Sequence, residues 1–181
     1  MKLRKILLIL LALALLLTAT MIGSVFAYMY RRTETVTNQL VPAEVNCQVV
    51  ETFDGSKKTG INVRNTGNID AYLRVRLVTY WVNEQGEIVA EPSQMPEIRF
   101  NNDDWLSGTG NTYYYKSPVA PDQTPPVDLL SQPITLTTAN DGKYSQVIEV
   151  FAEAIQAEPS GAVTSSWKVT LDSSGNITAV P

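Results

Sequence analysis

The sequence contains no histidine, and that absence removes several function classes before any pattern is read. Without imidazole there is no Ser-His-Asp triad, no Cys-His dyad and no H-E-x-x-H zinc helix. A catalytic zinc site made of carboxylates alone is atypical. Cysteine is nearly absent as well: Cys47 is the single one, so no internal disulfide forms and an exported domain must hold itself together by burial. Cys47 reads as a small buried apolar residue; it does not sit in a lipobox, and the terminal ITAVP carries no sorting motif. No repeat of ~20 to 50 residues is visible, which removes solenoids and propellers. Basic residues are in the minority, 14 against 18 acidic ones for a net charge of −4, which argues against a nucleic-acid surface.

A carboxylate pair for glycoside hydrolysis remains formally possible. Asp103, Asp104, Glu149 and Glu153 form no pair whose spacing singles it out for glycoside chemistry, so the expectation is a chain that is not an enzyme and carries no cofactor. The run NNDDW, Asn101 to Trp105, offers oxygens to calcium but lacks the D-x-[DN]-x-[DN]-G order. Such Asn/Asp clusters commonly make turns, and no metal site is assigned.

What is present begins at the N-terminus. Lys2, Arg4 and Lys5 precede an uncharged run from Ile6 to Tyr30, the pattern of a signal peptide. Val25 and Ala27 are the small residues that a signal peptidase accepts, which places the cut between Ala27 and Tyr28. The competing reading is an uncleaved anchor, since the run exceeds the ~20 residues of a bilayer span. Arg31 and Arg32 on the far side leave the charge rule undecided. Loss of residues 1–27 leaves 11 basic against 18 acidic residues, a net charge of −7.

From Glu44 onward the period is two. Val45, Cys47, Val49 and Phe53 share one side of a strand broken only by Glu51, and a polar turn DGSKKTG leads to a short strand at Ile61 to Arg64. AYLRVRLVTYWV places Ala71, Leu73, Val75 and Leu77 on one face, with Tyr72, Arg74, Arg76 and Tyr80 on the other. Arginines interleaved with core residues invite an anion-site reading, but alternation explains them as a solvated face. NEQG turns the chain into EIVA. Residues 91–126 read as a long Pro- and Gly-rich connection with one short strand at Tyr113 to Lys116, at least one of its tyrosines facing outward. PITLTT and YSQVIEVFAEAIQA supply two further strands. For the second, a helix over FAEAIQAE is the rival, but the β-branched residues favour a strand. SSWKVTLDSSGNITAV reads as a hairpin around Ser-Ser-Gly-Asn or a last strand with a loose tail. Many short strands without a long amphipathic helix indicate an all-β antiparallel sandwich.

The export segment ending in FAY, the arm TETVTN, the acidic strand and the stretch VRNTGNIDAYLRV together resemble exported Gram-positive proteins of the TasA/camelysin type, which are processed by a specialised signal peptidase, SipW. DDWLSGTGNTYYYKSPVAPDQTPP and EVFAEAIQAE are similar to members of the same group. The resemblance covers most of the chain from Met1 to Glu158. It implies a jelly-roll sandwich, an extracellular location and assembly into biofilm-matrix fibres. The metalloprotease label carried by camelysin-type members finds no support in a chain without histidine.

The expected organisation is a signal peptide or anchor over 1–27, an extended arm over 28–42 and one jelly-roll-like β-sandwich over 43–181. The expected role is a secreted cell-surface or matrix structural protein, its partners being further copies of itself in an oligomer or fibre, the signal peptidase during export, and the cell envelope or membrane, with no nucleic acid. The alternative is a single-pass membrane-anchored adhesion module that binds through the 91–126 loop. Asn65, Gly67 and Asn68 are expected to form a structural turn, since Asn and Gly tolerate positive φ and Asn side chains cap the backbone. In the arm, Val36 and Leu40 lie on one face of a donor strand separable at Pro42, because proline lacks a ladder donor.

Overall fold

The computed structural model describes residues 2–31, 41–90 and 94–181, with side chains described for 2–18 and from 41 onward. The chain divides into two units, 1–41 and 42–181. The first contains one helix, α1 (Lys2–Arg31). Its described side chains end at Thr18. Among the described residues no helix is long and apolar enough to cross a membrane.

The second unit is mostly β, with antiparallel sheets. In chain order its elements are β1 (Cys47–Phe53), β2 (Lys57–Asn65), β3 (Ala71–Asn83), β4 (Ile88–Val89), β5 (Trp105–Ser107), β6 (Thr112–Tyr115), β7 (Ile134–Thr135), β8 (Thr138–Ala139), β9 (Tyr144–Gln156), α2 (Gly161–Trp167), β10 (Thr170–Leu171) and β11 (Ile177–Ala179). One sheet runs β1-β2-β7, a larger one β5-β6-β3-β9-β8 with β4 on β3, and β10 pairs β11. The long partnership is β3 with β9, in register from Ala71 opposite Gln156 to Asn83 opposite Tyr144.

Alternation places the inner core correctly. Leu73, Val75 and Leu77 from β3 meet Ile61 and Val63 from β2, with Ile148 of β9 and Ile134 of β7 in the same cluster. The two sheets therefore pack face to face. Phe151 to Gln156 continue β9 as strand rather than helix, in line with the β-branched run before them.

Four local readings need correction. β2 begins at Lys57 rather than Ile61, because the turn is confined to Asp54–Ser56, where the Asp54 carboxylate accepts from the backbone N–H of Ser56 and Lys57 at 2.9 and 2.6 Å. Lys58 then faces inward and is neutralised by Glu51 at 2.6 Å, which also accounts for the charge interrupting β1's apolar side. The PITLTT stretch is not one strand: β7 joins β2 in the smaller sheet, while β8 joins β9 in the larger one. The segment 161–167 is helical, with Val163 and Trp167 buried one turn apart.

That helix overturns the fourth reading. The outer face of β3 is not simply solvated, and none of the three tyrosines at 113–115 faces outward. Tyr113 and Tyr115 enter the inner core, while Tyr114 and Tyr72 are covered by Trp167, Val169 and Ile177 of the C-terminal segment in a second cluster. Arg74 lies under the same cover, 2.6 Å from Glu153 and with its guanidinium 4.6 Å from the Trp167 ring centre.

Candidate functional site

The turn at 65–68 is the best-determined of the features expected from sequence. Asn65 is fully buried, and all of its polar groups are used. Its amide donates to the carbonyls of Ile69 and Val119, both at 2.8 Å, and its Oδ1 accepts from the Gly67 N–H at 3.0 Å. Its own N–H and C=O pair with Gln123 and Asp122. Asn68 reaches the other way: Oδ1 accepts from the Glu44 N–H at 2.7 Å, and Nδ2 donates to the Pro42 carbonyl at 2.8 Å. Backbone bonds from Thr66 to Asn46 and from Asn68 to Glu44 complete the grip. The turn thus fixes residues 42–46, where the chain enters the β unit, against the loop at 119–123.

Gly67 serves this turn for a reason other than the expected one. It is not among the residues with positive φ. A Cβ at this position would lie 2.3 Å from the Glu44 carbonyl oxygen and 3.0 Å from the Asn46 nitrogen. Close backbone approach, rather than a left-handed conformation, demands glycine here.

The clamped entry leads directly into β1, which is the outer strand of its sheet. Across from it runs β9, whose far edge is covered by β8 only at Tyr144 and Ser145. The Gln146 N–H donates to Thr137 on that edge; by alternation the N–H groups of Ile148, Val150, Ala152 and Ala154 point the same way and meet no backbone partner among the described residues. Among the described residues, two edges without a strand partner thus lie side by side. A groove of about 520 Å³ between them is lined by Val49 of β1 and by Ile148, Glu149, Val150 and Phe151 of β9, with the Lys58–Glu51 pair at one wall. Among the apolar side chains that line it, Phe151 is about half exposed, at 51%.

No family model, curated protein or solved structure matches the chain. Geometry and residue chemistry therefore carry the functional argument. Val25, Ala27 and Tyr28 fall on the α1 backbone, their side chains outside the described residues, while Val36 and Leu40 lie outside the described residues altogether.

Of the 91–126 segment, the described part, 94–126, is built into the fold rather than looped away from it. Trp105 is fully buried and donates its indole N–H to the Val127 carbonyl at 3.1 Å, and β6 pairs with β3. Burial raises the phenol pKa of Tyr113 and Tyr115, so both stay neutral well above physiological pH. In the NNDDW run, the Asn101 amide donates to the carbonyls of Asp128 and Leu130. The Lys116 ammonium donates to the carbonyls of Asn102 and Asp103, placing a fixed cation on oxygens that calcium would use. No group of three or more acidic or thiol side chains suited to a metal occurs among the described residues. Cys47 is half-buried against the core, and burial, followed by the nearby Glu153 charge, raises its pKa. Such a thiol is a poor nucleophile at neutral pH.

The bare β9 edge was missed in the sequence. A signal was there: YSQVIEVFAEAIQA finds one strand of matching length, AYLRVRLVTYWV, and no second to cover its other edge, and Phe151 falls on the mixed face.

Proposed function

We propose that the chain is an exported cell-surface or extracellular-matrix structural protein, directed outward by residues 1–27, that assembles by strand donation between copies. The single observation that carries this reading is the pair of edges on β1 and β9, unpaired among the described residues, with a groove between them lined in part by apolar side chains. Unpaired edges are templates for another strand, and soluble monomers ordinarily cover or charge them. The occupant we assign is the 33–41 segment of a second copy, TETVTNQLV, whose Val36 and Leu40 alternate with polar residues as a half-buried strand requires. Backbone hydrogen bonds along β9 supply affinity, and the two apolar side chains fill the groove. The clamp at 42–46 anchors the donor's base in its own β unit, so the segment leaves each copy from a fixed point. Such donation is head-to-tail and does not close, so it yields filaments rather than dimers. On this reading the two-layer β unit is a jelly-roll variant without catalytic activity.

Electron microscopy of the product released from cells tests the proposal. Protein beginning at Tyr28 is expected to form fibres, whereas deletion of 28–41 is expected to leave a folded monomer. Ala152→Pro, which removes one outward N–H from the bare edge, should reduce fibre yield without unfolding the protein. Fibres at undiminished yield in both variants overturn strand donation. A full-length product that stays in membranes and never polymerises favours an anchored adhesion module instead.

A further inference from the structure

Arg74 and Arg76 occupy successive outward positions of β3, yet their surroundings differ. Arg74 is committed: it pairs with Glu153, donates to the Tyr114 hydroxyl at 3.3 Å and stacks on Trp167. Arg76 is exposed and has no hydrogen-bond or ion-pair partner among the described residues. Lys168, at the C-terminal end of α2, is likewise exposed and without a partner. All three cations line one cavity of about 410 Å³, together with the Glu153 carboxylate, the hydroxyl residues Thr112 and Ser166, and Pro181.

Two independent features make this more than a chance cluster. The first is charge. Glu153 offsets Arg74, which leaves Arg76 and Lys168 uncompensated within a chain of net charge −4. Cations converging on one cavity raise its local potential and attract counter-ions. The second is backbone strain. Lys168 adopts φ 55° and ψ 37°, the left-handed conformation that glycine or asparagine usually supplies at a helix end. A lysine there is held against its own Cβ. Strained residues of this kind concentrate at ligand clamps, where function maintains them.

We propose that this cavity binds an oxyanion, a phosphate or a carboxylate carried on a hydroxyl-bearing ligand, with Arg76 and Lys168 as the charge contacts and Arg74 as the fixed floor. Guanidinium presents paired donors to two oxygens, ammonium adds a compact charge, and Thr112 and Ser166 offer hydroxyls to neighbouring polar groups. The site lies on the outer face of the large sheet and does not depend on strand donation.

Calorimetric titration of the full chain in detergent at low salt, with inorganic phosphate in one arm and glucuronate in the other, tests the assignment. Saturable binding of phosphate alone identifies a phosphate-bearing ligand, binding of glucuronate alone a carboxylate, and binding of both a general oxyanion site. Arg76→Gln and Lys168→Gly are each expected to weaken binding about tenfold or more, while Arg99→Gln, which alters a cation beside a different cavity, leaves it unchanged. Lys168→Gly should also raise the melting temperature, because glycine adopts the left-handed conformation freely. A melting temperature that rises with binding intact marks Lys168 as merely strained and removes it from the site. Absence of saturable binding in both arms, or wild-type affinity in both cavity variants, overturns the proposal.

Discussion

The two faces of β3 are built from the same alternating strand but closed in different ways. The inner face, Leu73, Val75 and Leu77, is covered by a second sheet, whose strand β2 is itself hydrogen-bonded to β1 from Lys58 to Asn65. The outer face is covered at one end only, by a helix of seven residues and a two-stranded hairpin, with Tyr72 and Tyr114 meeting Trp167 and Ile177. A sheet-covered face depends on the whole unit. A face covered by a terminal segment depends on that segment alone, and it can open without unfolding the rest.

The sharpest way to break this contrast is to empty one large side chain on each face. Trp105→Ala removes a fully buried indole and its bond to Val127 from the inner cluster, and should cost about 4 kcal/mol. Urea denaturation should show the loss as a lower midpoint of a single transition. Trp167→Ala on the outer face should cost about 3 kcal/mol, confined to the C-terminal segment. Hydrogen exchange should then accelerate over 158–181 while β2 and the inner positions of β3 keep their protection. Uniform acceleration across both faces would show that the two clusters melt as one.

The junction at Gly67 belongs to neither cover. Gly67→Ala forces a Cβ against the Glu44 carbonyl and should cost about 2 kcal/mol, with exchange rising first at 42–46. A near-neutral result in thermal melts would mean that the entry segment shifts aside freely, and that the clamp does not anchor a donor strand.

How much was legible in the sequence follows the same division. Period two identified the inner residues of β3 and β9, because a face buried by another sheet must be continuously apolar. The outer cover was not legible from β3, whose outward residues include arginines. Tertiary packing of a terminal segment decides whether such a face is wet, and Arg74 is accommodated there by Glu153 and Trp167 rather than by water. The helix itself left a faint trace, Val163 and Trp167 at i and i+4 after Pro159, but seven residues are too few for a persuasive period. At Gly67 the need for glycine was not legible, since the close backbone approach is to Glu44 and Asn46, 23 and 21 residues earlier in the chain. The candidate groove was the least legible, because a bare edge is defined by a strand that does not pair.

A smaller perturbation separates the outer cover from its anchor. The Tyr72 hydroxyl, on β3, donates to the Gly175 carbonyl in the C-terminal hairpin at 2.5 Å. Burial, then the negative charges of Glu158 and Asp172, raises its pKa, so the phenol remains a donor throughout the neutral range. Tyr72→Phe keeps the ring and loses only this bond, at a cost of about 1 kcal/mol. Faster exchange confined to 172–177 is the expected signature.

The smallest effect is a dependence on pH, and it arises within that hairpin. Asp172 accepts backbone hydrogen bonds from Asn176 and Ser174, both at 2.8 Å, and these hold its pKa below the ordinary carboxylate value. A carboxyl with a depressed folded-state pKa stabilises the fold above its unfolded-state pKa, and that contribution disappears as pH falls through the folded-state value. Acidification below about pH 4 should therefore loosen the 170–179 hairpin before it disturbs the inner cluster. Asp54 holds the β1–β2 turn through the same chemistry, with bonds from Ser56 and Lys57, and provides the internal comparison. Asp172→Asn should flatten the acid response of exchange at 170–179 while leaving that of the β1–β2 turn unchanged. An unaltered acid response at 170–179 in that variant would place the acid sensitivity of the outer cover elsewhere, with Glu158 the next carboxylate near Tyr72 to replace.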